Sequence, residues 1–393
     1  MYKPSPQVLR LFIFVGIVWA AVVGPGSVVL ILTHKGATNP QIGIVTAIAA
    51  VLSMLFQPVW GMISDKTGSP RRVLCFCLIG SALFFGSVLF STNIYIVAGL
   101  LLMDMVFRCG VVGLLDSHTF SEISVIPGLQ YGHIRLAGSI FFGGLSLIYS
   151  GVIGSFGVMA IIPISVSIAA VAIVFGLFVA KGKGEDGEGV QRVKPNLKKD
   201  TVSLITNKRF LILILFTGLM GLGVQPLWVF LIEFVYEVGG HTGNVPLIHA
   251  LRCLVEIPLF IFVGTKLRGT SSKRLMCIGA FFMFVYMVLM LFAGSVAGIA
   301  VAHMLGGTPG FIFLLNGRLR YLNEVTPENM RSTSITLMGT MEIAFGSIAG
   351  GLIGGFVLEA FGTQRLAVFS LVALGVAVGL LVFVKNKVSA KEF

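Results

Sequence analysis

The sequence predicts an all-α membrane protein of twelve transmembrane helices in two pseudo-symmetric six-helix bundles. Three observations carry that prediction: composition, the recurrence of apolar runs, and a repeat between the two halves. Of 393 residues, 56% are hydrophobic and only 11% charged. A soluble domain carries about 25% charged residues, so this chain lacks the polar residues to cover a water-facing surface. About 220 apolar residues, at roughly 20 per span, provide for ten to twelve crossings. Soluble enzymes, nucleic-acid-binding domains and secreted disulfide scaffolds are excluded on this ground. The lipid bilayer is therefore an obligatory partner, and nucleic acid is not one.

Apolar segments fall at 9–32, 41–63, 73–91, 94–117, 133–154, 157–180, 210–236, 244–264, 275–294, 296–317, 333–357 and 364–384. Each is too long for a barrel strand, and only helices satisfy their own backbone groups in hydrocarbon at this length. The first run is too long for the apolar core of a signal peptide and is read as a retained span. Assigning alternate connections to the two sides of the membrane puts 22 of the 28 lysines and arginines on one side. The positive-inside rule makes that side cytoplasmic, with both termini there, as expected of a multi-pass protein of the cell (plasma or inner) membrane. Five cysteines lie inside apolar runs without metal-type spacing, and are read as packing residues.

One long polar connection, 181–209, mixes glycine, proline and charge and reads as a solvated linker. It divides the chain into an N-terminal bundle (1–180) and a C-terminal bundle (210–393). The halves resemble each other. Gly61 with Arg71 and Arg72 has its counterpart in Gly264 with Lys273 and Arg274. Gly138-Ser139-Ile140 recurs as Gly346-Ser347-Ile348, 208 residues later. A duplicated helical unit with a midplane site is the architecture of alternating-access transport.

The stretch GMISDKTGSPRR (61–72) resembles the loop signature of the major facilitator superfamily between its second and third helices. The resemblance implies a latch built from Asp65, Arg71 and Arg72. The second-half copy has Arg268 where an acid would stand, so only one latch is complete. YGHIRLAGSIFF (131–142) is similar to the start of helix five in the lactose permease-like and phenylpropionate permease-like branch. On that resemblance Arg135 contacts substrate, Phe142 is the aromatic that stacks on it, Asp116 is the acid that pairs with the arginine, and Glu256 links substrate to proton. The branch's histidine and glutamate on helix ten are replaced here by Gly306 and Pro309, within HMLGGTPGF (303–311). Its proton coupling and sugar specificity therefore do not carry over by analogy.

Independently of the resemblance, ionisable residues within apolar runs mark sites, because each charge at mid-bilayer costs roughly 2.5–3.5 kcal/mol. They are Asp104, Arg108, Asp116, Arg135, Glu233, Arg252, Glu256 and Glu342, with His249 and His303 as company. His249, Arg252 and Glu256 stand at i, i+3 and i+7 on one helical stripe. Glu256 there is either a proton carrier released when Arg252 moves away, or half of a static ion pair. Asp104 and Arg108, at i and i+4, read as a structural pair. Asp116 is placed to reach Arg135 across a short loop, and Glu342 falls within a residue of Arg135's counterpart in the repeat. Glu233 is expected beside Gln225 and Trp228, and Glu237 in solvent. Pro25, Pro226 and Pro309 are expected to kink their helices.

No nucleotide fingerprint, catalytic constellation or metal-ligand spacing is present in the sequence. The expectation is a monomeric, non-enzymatic permease for a small polar solute (sugar, nucleoside or organic acid), without cofactor and driven by the proton gradient. Arg135, Asp116, Phe142, Trp228 and Glu342 would bind solute, while Glu256, Arg252 and His249 would couple protons. A passive uniporter, an exporter, and a non-transporting sensor or scaffold of the same fold are the alternatives.

Overall fold

The computed structural model describes the chain except residues 1–5, 25–26, 125, 127–128, 130, 179–205, 268, 327–330 and 385–393. Pro25, Arg268 and nearly all of the 181–209 connection thus lie outside the described residues. Within them the structure is helical, without strands. The first half holds α1 (Pro6–Ala21), α2 (Val28–His34), α3 (Asn39–Thr67), α4 (Pro70–Ser87), α5 (Ile94–Ser124), α6 (Tyr131–Phe156) and α7 (Ile161–Phe178). The second holds α8 (Lys208–Val229), α9 (Leu231–Glu237), α10 (Asn244–Lys266), α11 (Ser272–Leu291), α12 (Val296–Ala302), α13 (Thr308–Val325), α14 (Arg331–Glu342) and α15 (Gly351–Leu380).

Ten described helices are long and apolar enough to cross a membrane. The last of these runs 47 residues, Leu337–Phe383, about twice what one crossing needs. It is divided at Gly362, whose φ of 77° is a left-handed turn that a side chain would strain. The first predicted span, 9–32, is also divided: α1 ends at Ala21 and α2 begins at Val28. The division at Gly362 turns the ten into eleven, and α1 with α2 together occupy the remaining expected span. The tenth departs most from expectation, since its helix continues eight residues past the apolar run, to Val325.

Two π-helical segments interrupt the second half, His303–Gly307 and Ile343–Gly350. Pro309 stands two residues beyond the end of the first. Its missing N–H and ring geometry disturb the helical ladder behind it, and the widened turn is the local result. The second segment brings Gly346 against Gly221 and Gly350 against Pro226 of α8.

The chain forms two compact units. The first comprises residues 1–38, 51–191 and 241–253; the second comprises 39–50, 192–240 and 254–393. The early turns of α3 thus group with the second unit, where Gly43 approaches the backbone of Gly351. The early turns of α10 group with the first, where Cys253 lies against Gly143.

In the first unit, Phe14, Leu74, Val111, Leu115, Ile134 and Ala172 form a dry core between α1, α4, α5, α6 and α7. Trp60 donates its indole N–H to the Val106 carbonyl at 2.7 Å, which satisfies a polar atom that hydrocarbon would leave stranded. Arg71 is 3% exposed. Its guanidinium donates to the carbonyls of Gly176 and, at 3.1 Å, Leu177. These are terminal carbonyls of α7, and a cation there also answers the negative end of the helix.

In the second unit, α11 packs on α13 through small residues. Gly279 faces the backbone of Gly310 and Leu314, and Gly317 faces Met276. Small residues let helices approach closely, which is how membrane helices gain packing without a hydrophobic driving force. A Cβ at Gly279 would stand 2.7 Å from the Leu314 backbone nitrogen, and backbone cannot step aside as a side-chain tip can. Gly279→Ala is therefore expected to cost about 1–3 kcal/mol and lower the unfolding midpoint in detergent. Gly264→Ala is the control: a Cβ there meets nothing within 4 Å, so its midpoint should hold or rise slightly.

Candidate functional site

The described charged residues of the spans form clusters that can be taken unit by unit. In the first unit, α5 supplies Asp116 and α6 supplies Tyr131 and Arg135. The Tyr131 hydroxyl donates to Asp116 Oδ1 at 2.7 Å, and its ring stacks on Phe120 with centroids 4.6 Å apart. Arg135 stands one turn after Tyr131 and acts on both the hydroxyl and the carboxylate. Its guanidinium carbon lies 4.1 Å from the centroid of the Trp19 ring on α1, a cation–π arrangement. Close packing of Gly138 on Arg135 and Trp19 holds that stack in place.

Asp116 and Arg135 thus stand close enough to interact, and Tyr131 joins them as the third member of the group through its hydrogen bond to the carboxylate. Tyr131 and Arg135 are four residues apart on α6 and share a face, so the phenol and the guanidinium are both presented toward Asp116. Phe142 is half-buried on α6, seven residues beyond Arg135 and hence on the same stripe.

His249, Arg252 and Glu256 all lie on α10, each half-buried. At about 100° per residue they keep to one stripe of that helix. The expected geometry of the stripe therefore holds, and Pro258 follows it within the same helix.

In the second unit, Arg318 of α13 forms a two-point ion pair with Glu342 of α14, with contacts of 3.1 and 3.3 Å. The arginine side chain is 5% exposed and the glutamate 42%. The carboxylate is thus the accessible member and the guanidinium the buried one. Trp228 of α8 lies against Phe311, ring centroids 6.1 Å apart. Glu233 stands half-buried on α9, after the helix break at Phe230. Glu237, expected in solvent, is exposed and also accepts a hydrogen bond from Thr363.

Asp104 and Arg108 form the expected pair at 3.1 Å, and Ser81 of α4 donates to Asp104 at 2.5 Å. Asp104 is fully buried. This group ties α4 to α5. Among the latch residues, Arg71 is buried in its cap of α7, whereas Asp65 and Arg72 are exposed. The glycine whose backbone the latch loop requires is Gly68, at φ 64°. Gly61 has open space where its Cβ would be.

Tyr131, Trp19 and Arg318 are the members of these clusters nearest the charges that the sequence does not mark. Tyr131 and Trp19 are neutral and carry no charge signal, although Tyr131 stands at i−4 from Arg135. Arg318 lies one residue past the apolar run, where it reads as part of a connection. Among the described residues, no group of three or more His, Cys, Asp or Glu is placed to hold a metal ion.

The family described as "MFS_1 like family" matches residues 28–369. A transporter of Bacillus subtilis (strain 168) named YwbF, described as uncharacterized, is 24% identical over 385 residues, covering 93% of this chain and 92% of the relative. The maltose permease of Geobacillus stearothermophilus is 24% identical over 364 residues, covering 88% and 85%. Among solved structures, the nucleoside transporter NupG superposes with a TM-score of 0.80 at 18% identity, covering 97% of this chain and 98% of that one; at that identity the likeness concerns the fold. A match across most of the chain, on a helical membrane fold, settles the family: the chain belongs to the MFS_1-like family and is a multi-span transporter of the major facilitator fold, not an enzyme.

Proposed function

We propose that the protein is a proton-coupled symporter for a small neutral polyhydroxylated solute, a sugar or a nucleoside, working by alternating access in the cell membrane. The observation that carries this reading is the Asp116–Tyr131–Arg135 group. It combines a fixed donor fork, a fixed carboxylate acceptor and a hydroxyl that serves as either, with no net charge. Adjacent ring hydroxyls need such a donor beside an acceptor, whereas an organic acid needs surplus positive charge. Maltose and nucleosides, which two of the similar proteins are named for, share ring hydroxyls. That agreement supports the hydroxylated class over the acidic one.

In this reading Arg135 and Asp116 orient the solute, Tyr131 and Trp19 hold the arginine, and Phe142 offers an apolar face to the ring. Trp228 and Glu342 complete binding from the second half. Glu256 carries the proton, with Arg252 and His249 beside it on α10 setting when it is released. Asp65, Arg71 and Arg72 form the latch. The protein works as a monomer of two six-helix halves joined by the 181–209 linker, with both termini in the cytoplasm. The proton gradient is its energy source, and it needs no cofactor.

Three variants test the assignment. Arg135→Lys keeps the charge but loses the planar fork, and should weaken solute binding at least tenfold, as read by equilibrium binding in detergent. Tyr131→Phe removes one hydroxyl and should weaken it by a smaller factor, about five to tenfold for one hydrogen bond. Glu256→Gln separates coupling from binding. It should leave solute exchange across vesicles intact while abolishing accumulation against a gradient. Accumulation that survives in Glu256→Gln would overturn the proton assignment and favour a passive uniporter or another coupling group.

A further inference from the structure

Away from both charged clusters, the second unit carries a groove of about 770 Å³ between α11 and the part of α15 beyond Gly362. On α11 its lining residues include Lys273, Cys277, Phe281 and Phe284, at spacings of four, four and three that make one stripe of the helix. Its other wall is entirely apolar, and Gly375 lies in the middle of it. A Cβ at Gly375 would meet nothing within 4 Å, so the missing side chain is part of what hollows the surface. Phe281 and Phe284 stand 62% and 48% exposed at the rim, while Leu374 is 1% exposed in the floor.

Both walls are membrane-spanning helices, so the occupant is hydrocarbon for most of its length. From Lys273 to Phe284 is eleven residues, about 16 Å at 1.5 Å per residue. One leaflet of a bilayer with a 30 Å hydrocarbon core is about 15 Å deep. The groove is therefore one leaflet long, with an ammonium at the level where headgroups begin. Arg274, exposed, follows Lys273 in the first turn of α11, and the positive end of that helix adds to the same field.

We propose that this groove is a binding site for an anionic phospholipid, one acyl chain lying along Phe281, Gly375 and Phe284 and the phosphate on Lys273. Charge complementarity selects the headgroup: a lysine near an anionic lipid surface contributes about a fivefold preference. The glycine-hollowed wall selects a chain seated in the protein over one merely passing it. The inference rests on the membrane fold and on no assignment of solute or proton coupling.

The test is native mass spectrometry of the full-length protein in detergent, titrated with phosphatidylglycerol or phosphatidylcholine of equal chain length. The unaltered protein should retain phosphatidylglycerol about fivefold better. Lys273→Gln should bring that ratio close to one, and Lys273→Arg should restore it. Gly375→Leu, which fills the groove, should reduce retention of both lipids. Lys66→Gln, an exposed lysine of the first unit, should leave the ratio unchanged. The proposal is overturned if the unaltered protein does not discriminate, if Lys273→Gln still does, if Lys66→Gln abolishes discrimination equally, or if Gly375→Leu retains both lipids as before.

Discussion

Hydrocarbon supplies no hydrogen bonds and no counter-ions, and every charged side chain in the spans has to find its partner inside the protein. Asp104 meets this by taking Arg108 and Ser81. Asp116 takes the Tyr131 hydroxyl and Arg135, and Arg318 takes Glu342. Even the neutral tryptophan Trp60 gives its N–H to a backbone carbonyl. The helices are placed so that these pairings occur, and close glycine contacts such as that of Gly279 of α11 against α13 bring the backbones near enough.

The pairings differ in what they leave available. Asp104 is fully buried, and a carboxylate closed in by a serine and an arginine has a structural task. Glu342 is 42% exposed with its arginine beneath it, so the carboxylate is presented rather than hidden. A related inversion links the two halves. In the first, the acid stands on α5 and the base on α6; in the second, the base stands on α13 and the acid on α14. Each half thereby carries one neutral pair across corresponding helices with opposite polarity, as a duplicated unit would after its two copies diverged.

Much of this was legible in the sequence, and the exceptions have physical causes. Spans follow from apolar length alone, because backbone in hydrocarbon has few options. The stripe of His249, Arg252 and Glu256 follows from helical periodicity. The Asp104–Arg108 pair follows from i,i+4 spacing. Arg318 was missed because hydropathy marks where apolar residues stop, and the helix continues past that point to Val325 on the strength of its packing. Tyr131 and Trp19 were missed because a neutral side chain in an apolar helix gives no cost signal. The π-helical segments at His303–Gly307 and Ile343–Gly350 were not foreseen either. Hydrogen-bond register depends on neighbouring helices as well as on local glycine and proline.

The central claim is that a neutral donor–acceptor group binds a hydroxylated solute whose movement is tied to a proton. The most direct measurement is external pH in a weakly buffered, de-energised suspension of cells containing the protein, as sugars, nucleosides and aromatic acids are added in turn. The account predicts transient alkalinisation with a sugar or a nucleoside and none with the acids. Entry of labelled sugar or nucleoside with no pH change would contradict it, and would make the protein a passive carrier with Glu256 as a structural charge.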